Sequence, residues 1–172
     1  MADVTFDIYD ANNTKVVAAQ ASPVSITGLN PNTTYKGYQA TYAGQENKTA
    51  LPDFTTLDVV PGAPTLVVTP GDGQVAVTLT AGANAGSDVT DYKVYYTDGI
   101  TPLTMDLNNS LTGTITGLTD GTEYTFQATA INSAGESDKS SSVTGTPVAP
   151  EPAVPTVGNV TTTATTATIP LN

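Results

Sequence analysis

The sequence predicts an all-β protein of tandem β-sandwiches, one complete and partial ones at both ends. Three observations carry that reading. The decapeptide Ile26 to Tyr35 (ITGLNPNTTY) returns as Ile115 to Tyr124 (ITGLTDGTEY), an offset of 89 residues. That period fits a sandwich module and far exceeds a propeller blade or a solenoid turn. Tyr92, Val94 and Tyr96 alternate with their neighbours, the period-2 signature of a half-buried strand. Finally, 6% aromatic and 38% hydrophobic residues, with conspicuous Thr, Val, Gly and Asn, suit short strands and tight turns better than helices.

Residues 60–147 read as seven strands separated by turn signals. Leu66 to Thr69 comes first, and the turn Pro70-Gly71-Asp72-Gly73 leads into Gln74 to Thr80. Asp91 to Thr97, Leu103 to Leu107 and Thr112 to Thr116 come next. Glu123 to Ile131 should point Tyr124, Phe126, Ala128 and Ala130 inward, and Ser141 to Thr146 closes the module.

Residues 1–58 align with only the later part of such a module. Phe6, Ile8 and Tyr9 correspond to Tyr92, Val94 and Tyr95, and the turn Asp10 to Asn13 leads into Lys15 to Gln20. Val24 to Leu29, Thr34 to Tyr42 and Asp53 to Leu57 complete five strands, with the first two of a full module missing. The extra residue at Lys36-Gly37 reads as a β-bulge that leaves Tyr38, Ala40 and Tyr42 facing the core. Residues 148–155 (VAPEPAVP) form a Pro-rich, extended linker. Beyond it, Pro155-Thr156-Val157 echoes Pro64-Thr65-Leu66 at an offset of 91, and Ala167 to Leu171 echoes Val75 to Leu79. Residues 156–172 are therefore expected to be the first two strands of a further module or a disordered tail.

The entry Pro61-Gly62-Ala63-Pro64, the strand Tyr92 to Tyr96, the segment Ile115 to Tyr124 and the stretch Ala130 to Ser137 together resemble fibronectin type III, immunoglobulin-like modules. The resemblance spans the whole of 60–147. It implies that Leu118 plugs the core beneath a tyrosine corner formed by Tyr124, whose hydroxyl bonds upstream backbone, with Leu29 and Tyr35 in the same roles in the first module. Leu79 stands where the family usually has Trp, which implies a smaller core.

With no His and no Cys, triads, thiol nucleophiles, disulfides and His-containing metal sites are excluded. Glu46, Glu123, Glu136 and Glu151 fall on expected turns and solvent faces, so the chain is read as no enzyme, with no catalytic, metal or cofactor residues and no cofactor. Asp72, Asp88, Asp91 and Asp120 sit in turns, where Asp bonds nearby backbone. A net charge of −11 repels phosphate backbones and anionic lipid, so nucleic acid is excluded as a partner. No apolar run is long enough for membrane insertion. Tyr9 and Tyr95 should point outward and are candidate surface contacts for a cell-surface glycan or a protein.

Thr-, Val- and Gly-rich, acidic, Cys-free modules resemble those of phage tail or virion proteins and bacterial surface proteins. The start MADVTFDIYD shows no secretory leader. The expected function is therefore a non-catalytic structural or display protein of a phage virion, on its tail or capsid surface, made in the host cytoplasm and acting in assembly or host adhesion. The alternative is extracellular or cell-surface: a fragment of a bacterial adhesin, or a spacer module of a secreted polysaccharide-degrading enzyme. Protein partners are expected, including self-assembly: Ile169 and Leu171 are candidates for strand exchange, by which a neighbour's C-terminal strands would complete residues 1–58 as a homo-oligomer.

Overall fold

The computed structural model describes residues 4–156, 158, 160–162, 165 and 167–168. The first module contributes β1 (Thr5–Tyr9), β2 (Lys15–Ala21), β3 (Thr34–Tyr35), β4 (Gln39–Tyr42), β5 (Thr49–Ala50) and β6 (Phe54–Thr55). Four of these make an antiparallel sheet in the order β2-β1-β4-β5, and β3 pairs with β6 separately. The turn between β1 and β2 is set by Asp10, whose Oδ1 accepts the Asn12 and Thr14 N–H groups.

The middle module holds β7 (Thr65–Gly71), β8 (Gln74–Thr80), β9 (Asp91–Thr97), β10 (Pro102–Asp106), β11 (Thr112–Thr116), β12 (Tyr124–Asn132), β13 (Gly135–Glu136) and β14 (Val143–Gly145). One sheet runs β10-β9-β12-β13, with β14 also on β12, and it faces a second sheet, β11-β8-β7. The core between them contains Val75, Val77 and Leu79 from β8, Val94 from β9, Ile115 from β11 and Phe126 and Ala128 from β12. Alternation along β8 is complete, every second side chain buried, because one face of that sheet meets the opposite sheet and the other meets water.

The closing strand is broken. Between β13 and β14 the chain still runs along β12, but Ser137 and Ser140 pair with it through both backbone and side chain. Their N–H groups donate to the Ala130 and Ala128 carbonyls at 2.8 Å. Their hydroxyls accept the Ala130 and Ala128 N–H groups at 3.0 and 2.9 Å. Each hydroxyl takes the place of a ladder carbonyl, so the buried backbone of β12 stays satisfied while the strand bulges.

The first module differs from expectation at Val24 to Leu29, at Thr34 to Tyr42 and in the added short strand β5. Val24 to Leu29 is not a strand. Its counterpart β11 pairs only with β8, and the first module has no β8 counterpart, so the segment finds no ladder among the described residues. The expected strand Thr34 to Tyr42 is split at Lys36 to Tyr38, not bulged, with Gly37 at φ +69° and β3 and β4 joining different sheets. Tyr38 is buried, but Tyr42 is 60% exposed and stacks on Phe6 with ring centroids 5.3 Å apart. In the tail, β15 (Thr161–Thr162) and β16 (Ala167–Thr168) pair antiparallel.

Candidate functional site

The repeated segment places its residues alike in both modules. Leu118 is buried in the core, and the Tyr124 hydroxyl accepts the Thr119 N–H at 3.1 Å. Leu29 is half-buried, and the Tyr35 hydroxyl accepts the Asn30 N–H at 2.7 Å. Tyr35 also stacks on Phe54, with centroids 5.6 Å apart. Each hydroxyl thus reaches back five residues to the turn at the head of its own strand.

The two outward tyrosines are engaged within the chain. Lys48 Nζ lies 3.6 Å and Lys15 Nζ 5.5 Å from the Tyr9 ring centroid, and Lys139 Nζ lies 3.9 Å from that of Tyr95. The ring faces on which a sugar would stack therefore already carry ammonium groups. The Tyr95 hydroxyl donates to Glu136 Oε1 at 2.6 Å, as does Thr129 Oγ1. These two bonds hold the Glu136 carboxyl below its ordinary range, and the bond to Glu136 pushes the Tyr95 hydroxyl up.

One polar cluster was not anticipated, and it sits where the modules meet. Asp58 Oδ2 accepts the Ser87 and Ser133 hydroxyls at 2.7 and 2.6 Å, and Oδ1 accepts the Ser87 N–H at 2.9 Å. With the Ser133 and Ser87 hydroxyl bonds leading, the carboxyl is held down at about 2. Asn132 Nδ2 donates to the Val59 carbonyl at 2.8 Å. Gly86 leaves room for this: a Cβ there would collide with the Val59 carbonyl and the Asp58 carboxylate. One residue earlier, the Leu57 carbonyl accepts the Asn32 N–H of the first module at 3.0 Å. Consecutive residues are thus tied into different modules. Only the run Asn132-Ser133-Ala134-Gly135 marked half of this cluster in the sequence, since Asp58 is 75 residues from Ser133.

Of the four turn aspartates, Asp91 and Asp120 bond backbone, whereas the Asp72 and Asp88 carboxylates accept no bond among the described residues. Asp120 Oδ1 accepts the Gly73 N–H at 2.9 Å, and Asp91 Oδ1 accepts its neighbour Tyr92 N–H at 2.7 Å. Among the described residues no three His, Cys, Asp or Glu side chains converge.

The first module carries an apolar opening. Two adjoining grooves of about 300 and 600 Å³ share Val24, Ile26 and Leu51, flanked by Phe6 and Ile8 on one side and Leu29 and Phe54 on the other. Ile169 and Leu171, the expected strand-exchange residues, lie outside the described residues.

Two facing antiparallel sheets closed around a tyrosine corner define an immunoglobulin-like sandwich. The chain belongs to the fibronectin type III domain family, which matches residues 61–146. It is 32% identical over 128 residues, 70% of its length, to receptor-type tyrosine-protein phosphatase F of Bos taurus, of which it spans 7%. Among solved structures, domains d3–d4 of the rat CD45 extracellular region match at a TM-score of 0.59, with 15% identity over 76% of this chain and 72% of that one. The FN5 domain of Drosophila Lar matches at 0.44, with 22% identity over 52% of this chain and 98% of that one. The bovine relative, an animal protein with a receptor name, overturns the expectation of a phage virion protein and the likeness to phage tail modules on which it rested.

Proposed function

We propose that the chain is a stretch of a cell-surface or extracellular protein, in which non-catalytic sandwiches act as a stiff spacer that holds other parts of that protein apart. The observation that carries this reading is the junction. A flexible tether needs residues bonded to neither side, and here Leu57 bonds the first module while Asp58 bonds the second. The outside location is supported by the receptor and extracellular-region relatives. A spacer needs no cofactor. Labelling intact cells that make the protein, with an antibody to the middle module, tests the location. Staining without permeabilisation is expected, and staining only after permeabilisation would overturn it.

A further inference from the structure

The complete module has four asparagines, and their side chains are used differently. Asn132 is buried and donates to the Val59 carbonyl, and Asn84 Nδ2 donates to the Ser87 carbonyl at 2.7 Å. Asn108 and Asn109 are exposed, and neither side chain makes a hydrogen bond among the described residues. They are the central residues of the turn that carries the chain from β10 to β11. The Ser110 N–H donates to the Leu107 carbonyl at 3.0 Å, and φ is +48° at Asn108 and +64° at Asn109, the left-handed pair of a type I′ turn. Asparagine is among the few residues besides glycine that take up this backbone readily. The turn is pinned to the module beneath it. Leu107 is buried and its N–H donates to the Tyr92 carbonyl at 2.8 Å, while the Asn109 N–H donates to Asp91 Oδ1 at 3.3 Å.

The turn accounts for the two asparagines but not for the residue after them. Asn108-Asn109-Ser110 is Asn-x-Ser with x other than Pro, the acceptor pattern for an N-linked glycan, which needs a surface site. Asn84, Asn109 and Asn132 miss the pattern, with Gly86, Leu111 and Ala134 two residues on. The pattern recurs at Asn12, Asn32, Asn47 and Asn159. Only Asn108 lies in the module whose two sheets are both present, so its exposure owes nothing to where the sequence begins or ends.

We propose that Asn108 is the acceptor of an N-linked glycan. This rests on the outside location proposed above, because the donor, an oligosaccharide carried on a lipid pyrophosphate, is met on the secretory route. Asn108 Nδ2 bonds the anomeric carbon of the first sugar as the bond from that carbon to the pyrophosphate oxygen breaks. The lipid pyrophosphate leaves with the electron pair, and the amide gives up one of its two protons. The turn stands at the end of the sandwich that meets the first module: Asp91 pairs with Ile131, and two residues further on Ser133 bonds Asp58. The glycan therefore lies beside the junction, on a turn outside both sheets.

The test is the full chain secreted from animal cells behind a supplied leader. Release of glycans by a peptide amidase in heavy-oxygen water, followed by mass spectrometry, is expected to mark Asn108 as a heavy aspartate and to leave Asn84, Asn109 and Asn132 unmarked. The mark is expected to be lost in Ser110→Ala and kept in Ser110→Thr. Ser110→Ala also removes the hydroxyl's bonds to the Thr112 carbonyl and N–H, at 2.8 and 3.1 Å. Asn108→Gly is therefore the second variant: it suits the left-handed backbone and is expected to lose one glycan's mass from the secreted chain. Secreted protein with Asn108 unmarked, or a mark that survives Ser110→Ala, would overturn the proposal. Because the leader is supplied, these results judge the site alone, and the staining of intact cells judges the location.

Discussion

Ser140→Ala removes a single oxygen, and its effect is set by the broken closing strand. The Ser140 hydroxyl accepts the Ala128 N–H at 2.9 Å, at a residue with no exposed surface. The reciprocal bond from the Ser140 N–H to the Ala128 carbonyl is backbone and survives. What is lost is the hydroxyl's bond to the Ser141 carbonyl at 3.0 Å and, more costly, the acceptor for one buried donor, worth about 1–3 kcal/mol. In a domain of 60–100 residues each kcal/mol moves the melting midpoint by about 4–8 °C, so a fall of roughly 4 to 24 °C is expected. Calorimetry on the full chain reads the midpoint, and amide exchange reads the site: the Ala128 amide loses protection while Ala130, held by Ser137, keeps its own relative to the rest of β12. Ser141→Ala, at an exposed side chain, is the control and shifts stability by no more than about 0.5 kcal/mol. An unchanged midpoint together with unchanged Ala128 protection would refute the claim that the hydroxyl stands in for a ladder carbonyl.

The same geometry gives three further outcomes. Tyr124→Phe removes the acceptor of the Thr119 N–H and lowers the middle module's stability by about 0.5–1.5 kcal/mol, measured by denaturant unfolding. Because the folded Asp58 carboxyl is depressed to about 2, its contribution is complete above the unfolded value near 4 and fades as pH falls toward 2. Asp58→Asn removes that part of the acid dependence, monitored through the Ser87 amide shift. Gly86→Ala forces a Cβ into the Val59 carbonyl and the Asp58 carboxylate and raises the rate of protease cleavage at 57–60.

Much of the middle module was legible in the sequence because its signals are local. Val75, Val77 and Leu79 alternate within one strand, and Gly117, Leu118 and Tyr124 fix the corner within eight residues. Strands that depend on distant partners were not legible in the same way. Val24 to Leu29 has the same Ile-Thr-Gly-Leu lettering as its counterpart, yet a strand is a relation between two segments, and its partner segment is not in residues 1–58. The gap between β13 and β14 was invisible because Ser137 and Ser140 replace carbonyls with side chains, which no periodicity records. The lysines over Tyr9 and Tyr95 come from separated positions, Lys48 among them. Asp58 was passed over because it falls at a boundary and its partners, Ser87 and Ser133, lie 29 and 75 residues on. The virion expectation rested on composition and on the absence of a leader, neither of which reports where a protein works.

The stiffness of the junction is tested most directly by the distance distribution between spin labels on the two modules, at Thr49→Cys and Thr104→Cys, both exposed sites in a chain without Cys. Dilution with unlabelled protein restricts the signal to distances within one chain. A single narrow distribution is expected, broadening when Asp58→Ala releases Ser87 and Ser133. A distribution already as broad with Asp58 in place would contradict the spacer account.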